Sequence, residues 1–139
     1  MPVVYTAVVV SSGDGRQGVV ASEDGAFELQ LAAPKEVGGS GAGSNPEQLF
    51  AAGYAACFHS ALRLVARAAG TTLTDDTVTA SVDLVRDDES GYHVAVRLVV
   101  ALPGVERRVA EELAEQAHQR CPYSKATRGN IDVTVLTEV

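Results

Sequence analysis

Apolar and polar residues alternate with period two in the middle of the chain. Val78, Ala80, Val82 and Leu84 are separated by Thr79, Ser81 and Asp83, and Val94, Val96, Leu98 and Val100 alternate with His93, Ala95, Arg97 and Val99. Side chains on a strand point to opposite faces in turn, so this pattern predicts two half-buried strands. Asp87-Asp88-Glu89-Ser90-Gly91 joins them and Pro103-Gly104 breaks the second. Val3 to Val10, Phe27 to Leu31 and Ile131 to Val139 read as further strands, with turns at Gly13-Asp14-Gly15 and Asp24-Gly25. Between Glu106 and Arg120 the period lengthens. Val109, Leu113 and Ala117 recur every fourth residue beside Ala110 and Ala114, the mark of an amphipathic helix. Pro122 is read as its stop, because a residue ahead of proline avoids helical geometry. One more turn of the same stripe lands on Cys121, which is expected to face inward.

The longest stretch without a charge runs from Gln48 to Leu62. It contains Gly53, His59 and Ser60 and falls short of the ~20 apolar residues that span a bilayer, so a buried helix is predicted. Asn45 is a favoured N-cap, Pro46 suits the first helical position, and Glu47 sits in the first turn, where the helix dipole favours an anion. Arg63, Arg67 and Gly70 mark its far end. The approach, Gly38-Gly39-Ser40-Gly41-Ala42-Gly43, lacks the lysine of a phosphate-binding loop.

Strands, long helix, strands, helix, strand make an α+β fold, expected as a single domain over residues 1–139. A chain of this length buries about two-thirds of its unfolded surface and needs no disulfide or metal to hold a core. Hydrophobic residues make up 46% and charged ones 21%, which excludes disordered and fibrous classes. The net charge of −7 argues against nucleic acid, whose phosphates call for a basic surface. No basic-then-apolar leader stands ahead of Val3, so a cytoplasmic location with reduced thiols is expected. Two cysteines cannot form a disulfide framework. They are either inert core or the centre of the chemistry.

Cys57 shares a helix face with Tyr54 and Phe50, and Phe58 is adjacent. A cysteine in such a place is most often a small buried hydrophobe. Apolar surroundings raise its pKa, so reactivity requires a cation from elsewhere. Cys121 projects from a second inward face, and two inward thiols in one core suit attack by one and resolution by the other. The cation candidates are Arg16, in a turn, and Arg63, which points away from Cys57. Glu47 is a candidate arginine partner. Ten residues of one helix separate Glu47 from Cys57, about 15 Å along the axis. An arginine touching both would therefore need two chains. His59, His93 and His118 are too scattered for a metal site, and Ser11, Ser12 and Ser124 lie in no nucleophile elbow.

Two blocks carry a resemblance over nearly the whole chain: Asn45-Pro46-Glu47-Gln48-Leu49-Phe50-Ala51-Ala52-Gly53-Tyr54-Ala55-Ala56-Cys57-Phe58, and Cys121-Pro122-Tyr123-Ser124-Lys125-Ala126-Thr127-Arg128-Gly129-Asn130-Ile131-Asp132-Val133. Together with Asp14-Gly15-Arg16, Gly38-Gly39-Ser40-Gly41-Ala42-Gly43 and Leu102-Pro103-Gly104-Val105, they resemble the organic hydroperoxide resistance (Ohr) branch of the OsmC/Ohr family. The resemblance implies an intertwined homodimer with antiparallel sheets wrapped around long central helices and sites between subunits. It implies a thiol peroxidase reducing alkyl and lipid hydroperoxides to alcohols. Cys57 matches the peroxidatic cysteine and Cys121 the resolving one, joined as a disulfide in the cycle. Arg16 matches the activating arginine and Glu47 the carboxylate that holds it. Phe50, Tyr54 and Phe58 would wall the substrate pocket. No bound cofactor or metal is implied; the reductant is an external dithiol, a lipoylated protein or dihydrolipoamide. Neither nucleic acid nor membrane is an expected partner. His59 and the acidic turn from Arg86 to Gly91 depart from the family pattern. The neighbouring possibilities are an OsmC-type enzyme with broader or inorganic peroxide preference and a non-catalytic redox-sensing module.

Overall fold

Three short strands open the chain in the computed structural model, which describes all 139 residues. Atomic contacts divide the chain into two units, Met1–Leu49 and Phe50–Val139. In the first, β1 (Val9–Ser12), β2 (Val19–Ser22) and β3 (Glu28–Gln30) form an antiparallel sheet in that order. The Val3–Val10 strand expected from the sequence is corrected to one that begins at Val9. Residues ahead of it form an apolar, β-prone run but have no ladder partner, and a strand exists only where its amides are paired. Val3, Val4 and Tyr5 are 81%, 94% and 80% exposed. The short β2 strand offered no alternation to read. Between β1 and β2 the chain makes a single 3-10 turn, Gly15–Gln17. Gly18 closes it: a β-carbon there would lie 2.1 Å from the Ser12 carbonyl oxygen, so only glycine lets the two backbones meet.

Helix α1 (Pro46–Ala68) starts in the first unit and continues through the second. Its start follows from local chemistry. The Gln48 amide donates to Asn45 Oδ1 at 2.9 Å and the Asn45 amide donates to Gln48 Oε1 at 3.1 Å, a reciprocal capping box. By length and composition α1 meets the requirement for a membrane span, which the uncharged run alone did not. Its inward face nevertheless buries Tyr54, Phe58, Ala61, Leu62, Val65 and Ala66 in a protein core.

In the second unit β4 (Thr77–Asp87) and β5 (Gly91–Ala101) form the hairpin that period-two alternation predicted, with Val82 opposite Val96 and Ala80 opposite Leu98. Helix α2 (Arg107–Arg120) follows, capped by Glu106, whose carboxylate accepts from the Arg108 and Val109 amides. Pro122 ends α2 as expected but also begins a further helix, α3 (Pro122–Thr127). Proline is favoured at a first helical position for the same reason that it cannot sit inside one. Strand β6 (Val133–Glu138) then lies parallel to β5, Leu98 opposite Val135. The sheets expected to be antiparallel are so except for this one pair, because the α2–α3 crossover returns the chain in the direction of β5.

Val96, Leu98 and Val100 of β5 meet the α1 face and Ala110, Leu113, Ala114 and Ala117 of α2 in one hydrophobic cluster. Fully burying a leucine or phenylalanine contributes about 1.5–3 kcal/mol, so this cluster is the main stabilising element of the unit. Cys121 lies inside it and Cys57 packs against it.

Candidate active site

The residues singled out from the sequence fall into two pairs, one in each unit. In the first, the 3-10 turn presents Arg16 to the first turn of α1. Arg16 Nη1 and Nη2 donate to Glu47 Oε2 and Oε1 at 2.9 and 2.8 Å, a two-pronged fork on one carboxylate. Such a pair fixes the guanidinium plane as well as its position. Gln48 makes the capping box, which leaves the Glu47 carboxylate free for the arginine. Each partner favours the other's charge: Arg16 holds the Glu47 pKa below the usual carboxylate range, and Glu47 raises that of Arg16.

In the second unit Cys57 is half-buried and Cys121 fully buried, both as free thiols. Cys121 sits at the junction where α2 ends and α3 begins. Its amide donates to the Ala117 carbonyl at 2.8 Å, and its carbonyl accepts from the Lys125 amide at 3.0 Å. Cys57 packs against the same cluster that encloses Cys121. Burial pushes the Cys57 pKa up; a hydrogen bond from the Tyr123 backbone N–H opposes this, and the neighbouring Cys121 adds to it. Apolar packing alone thus keeps this thiol protonated, as the sequence pattern implied.

Of the three aromatic residues expected around Cys57, Tyr54 and Phe58 have no exposed surface. Phe50 packs edge-on to Tyr54, ring centroids 6.3 Å apart. A mainly apolar cleft of about 290 Å³ opens beside it, lined by Phe50, Val94, Tyr123, Ala126, Thr127, Asn130 and Ile131. Tyr123 was not foreseen. Its ring lies 6.5 Å from Phe50 and 5.8 Å from Tyr54, and rests over Gly53. A β-carbon at position 53 would stand 2.7 Å from the Tyr123 hydroxyl, so a glycine one turn before Cys57 makes room for the ring.

A third cluster was also invisible in the sequence. Asp76, ahead of β4, accepts from Arg63 Nε and Nη2 at 2.9 and 2.8 Å and bonds His59 Nε2 at 2.7 Å. Arg63 is thereby committed to a structural carboxylate. The Asp76 side chain is 3% exposed, and its pKa is driven well below the usual range, mainly by Arg63. A depressed native pKa means stability present above the unfolded value near 4 and lost as pH falls below it. Asp76→Asn is expected to lower stability by about 1–3 kcal/mol at pH 7, the range for losing charge-assisted hydrogen bonds, and by progressively less under acid conditions. Denaturant unfolding at pH 7 and pH 3 checks both the size and the sign.

Known proteins fit this arrangement. A family model described as OsmC-like protein matches residues 39–136. Organic hydroperoxide resistance protein OhrA of Bacillus subtilis is 48% identical over 138 residues, covering 95% of this chain and 94% of the relative. The organic hydroperoxide resistance protein of Xanthomonas axonopodis pv. citri is 45% identical over 134 residues, 96% of this chain and 94% of that one. The chain belongs to the OsmC/Ohr family. Among solved structures, an organic hydroperoxide resistance protein from Legionella pneumophila superimposes with a TM-score of 0.94 at 45% identity, covering 99% of this chain and 100% of that one. OhrB of Bacillus subtilis gives 0.88 at 42%, covering 98% and 100%. Membership of the Ohr branch places the chain among proteins of oxidative stress defence with a peroxide-related redox role.

Proposed function

We propose that this OsmC/Ohr-family protein is a cysteine peroxidase that reduces alkyl and lipid hydroperoxides in the cytoplasm, with residues 1–139 acting as one functional domain. The observation that carries this reading is the pair of free thiols, Cys57 and Cys121, meeting at one core. The Cys57 thiolate attacks the terminal oxygen of the hydroperoxide. The O–O bond breaks, sulfur keeps the hydroxyl as a sulfenic acid, and the alkoxide takes a proton and leaves as the alcohol. Cys121 then gives its sulfur electron pair to Cys57, the S–O bond breaks, and water departs. An external dithiol, a lipoylated protein or dihydrolipoamide, reopens the Cys57–Cys121 disulfide by exchange. The cycle calls for no bound metal or cofactor.

Burial opposes the thiolate, so a cation is needed, and Arg16 is the candidate. Its donors, aimed by Glu47, would favour the thiolate and the charge developing on the departing oxygen. Within α1, Glu47 and Cys57 are ten residues apart, about 15 Å. The reading therefore has Arg16 and Glu47 of one copy serve Cys57 of a second, in a homodimer. Two surfaces support a second copy: the unpaired apolar segment before Val9, and the outward α1 face with Ala52, Ala56, Ser60 and Leu64. Exposed apolar side chains of that kind suit an interaction surface.

The cleft beside Phe50 and Tyr123 suits an organic group, while Tyr54 and Phe58 would back the wall behind it. Each buried methylene contributes about 0.8 kcal/mol, so full burial of a four-carbon alkyl group, about 3 kcal/mol, gains roughly 200-fold in kcat/KM over hydrogen peroxide. Steady-state consumption by purified protein with dihydrolipoamide tests this. Faster turnover of hydrogen peroxide than of an alkyl hydroperoxide overturns the substrate assignment, and no turnover of either overturns the peroxidase.

A further inference from the structure

A buried chain of hydrogen bonds joins the three helices around the thiols. The Tyr54 hydroxyl of α1 bonds Ser124 Oγ of α3 at 2.8 Å and Thr127 Oγ1 at 3.2 Å. Ser124 Oγ also bonds His118 Nδ1 of α2 at 2.8 Å. Thr127 Oγ1 donates to the Ser124 carbonyl at 3.2 Å, and Arg128 Nη2 donates to the His118 carbonyl at 2.7 Å. Tyr54 and Ser124 have no exposed surface, and no buried polar side-chain atom in the protein lacks a partner. A six-residue helix such as α3 has little stability of its own and depends on such anchors. Cys121 is the residue at which α3 starts, so whatever seats α3 also seats the second thiol.

We infer that Tyr54, Ser124 and His118 are positioning residues for disulfide formation, holding α3 so that Cys121 stays within reach of Cys57. The inference rests on the peroxidase reading for its place in the cycle, while the geometry it claims is independent of it. With the chain intact, Cys121 attacks the Cys57 sulfenic acid, the S–O bond breaks and water leaves. With the chain cut, Cys121 is seated less often, and the sulfenic acid persists long enough for a second hydroperoxide to oxidise it to the sulfinic acid. Attack on the first hydroperoxide does not use Cys121 and is left unchanged.

Rapid-mixing oxidation with an alkyl hydroperoxide, with thiol, sulfenic, sulfinic and disulfide forms resolved by mass spectrometry, tests this in the full-length protein. In Ser124→Ala and Tyr54→Phe the disulfide step should slow about tenfold, the rate equivalent of one net hydrogen bond, and the sulfinic fraction should rise. In Ser124→Ala, at a residue outside the substrate cleft, sulfenic acid formation should stay within about twofold of wild type. His118→Ala should share the defect and His118→Asn recover it, because the asparagine amide can bond Ser124 from the position of Nδ1. Oxidation by diamide, an azo oxidant that closes neighbouring dithiols without peroxide, should be slowed in the same variants. That arm reads the seating of Cys121 even in a protein that consumes no hydroperoxide, so loss of the peroxidase reading and loss of this one are distinguishable. Disulfide rates within twofold of wild type in Ser124→Ala and Tyr54→Phe overturn the inference. So does equal slowing of both steps, which marks general loosening of the core.

Discussion

Replacing Cys57 by serine is expected to remove hydroperoxide consumption, a fall of roughly 10⁴-fold or more, the scale of losing a nucleophile. Serine is nearly isosteric, and Cys57 is only half-buried at the edge of the core, so the melting temperature should change little. The hydroxyl cannot supply an anion near neutral pH, whereas even a thiol with a raised pKa has an accessible thiolate. Cys121→Ser should behave differently. It keeps the attacking sulfur and loses the resolving one, so the first equivalent of hydroperoxide is consumed, the unresolved sulfenic acid is open to further oxidation, and the cycle stalls with Cys57 oxidised. The pair of variants therefore tests the order of the two thiols. Catalytic turnover retained in Cys57→Ser, or a complete loss of the first equivalent in Cys121→Ser, would reverse or remove the assignment.

What could be read from residues alone follows the range over which each interaction acts. Helix α1 was legible because its signals are local: Asn45, Pro46 and Glu47 in succession, and an uncharged run beyond them. The β4–β5 hairpin was legible because eleven-residue strands repeat their alternation many times. The three- and four-residue strands β1–β3 give no such repetition. Residues before Val9 have the apolar, β-branched content of a strand without any partner strand in this chain to make them one. The direction of β6 lies in the crossover and not in its own six residues. Pro122 was ambiguous by nature, since the same ring that stops one helix starts another.

The site divides in the same way. That Cys57 and Cys121 face inward came from helical periodicity, and both do. The Arg16–Glu47 fork spans 31 residues of sequence and no local pattern encodes it, so only the resemblance named that pair. Asp76 with His59 and Arg63, and Tyr123 over Gly53, were missed because each depends on how distant segments pack. A glycine amid an otherwise good helical run was the one visible sign of the second, since glycine costs a helix about 1 kcal/mol relative to alanine.

For Arg16→Ala the expected outcome is a loss of about 10²–10³-fold in kcat/KM at pH 7, the usual scale for removing one preorganised donor from a developing anion. Stability should barely respond. The Arg16 side chain is 47% exposed, and a pair that open to water contributes little to folding. The pH profile separates activation of the thiol from simple positioning. Burial raises the Cys57 pKa, so without a cation the variant is mostly protonated at pH 7 and its rate should climb with pH as thiolate appears. Its deficit against wild type is therefore expected to narrow between pH 7 and pH 9. Glu47→Gln keeps the guanidinium charge and loses only the clamp, so it should lose less activity than Arg16→Ala with a smaller shift of the profile. Thiol titration by absorbance at 240 nm reads the Cys57 pKa directly. An unchanged value in Arg16→Ala removes the activating role, while an upward shift with the fold intact supports placing that arginine beside the Cys57 sulfur. Mixing the two inactive variants Arg16→Ala and Cys57→Ser adds the dimer test. If sites are shared between copies, a mixed dimer carries both defects at one site and neither at the other, and activity returns; an enzyme complete within one chain gives none.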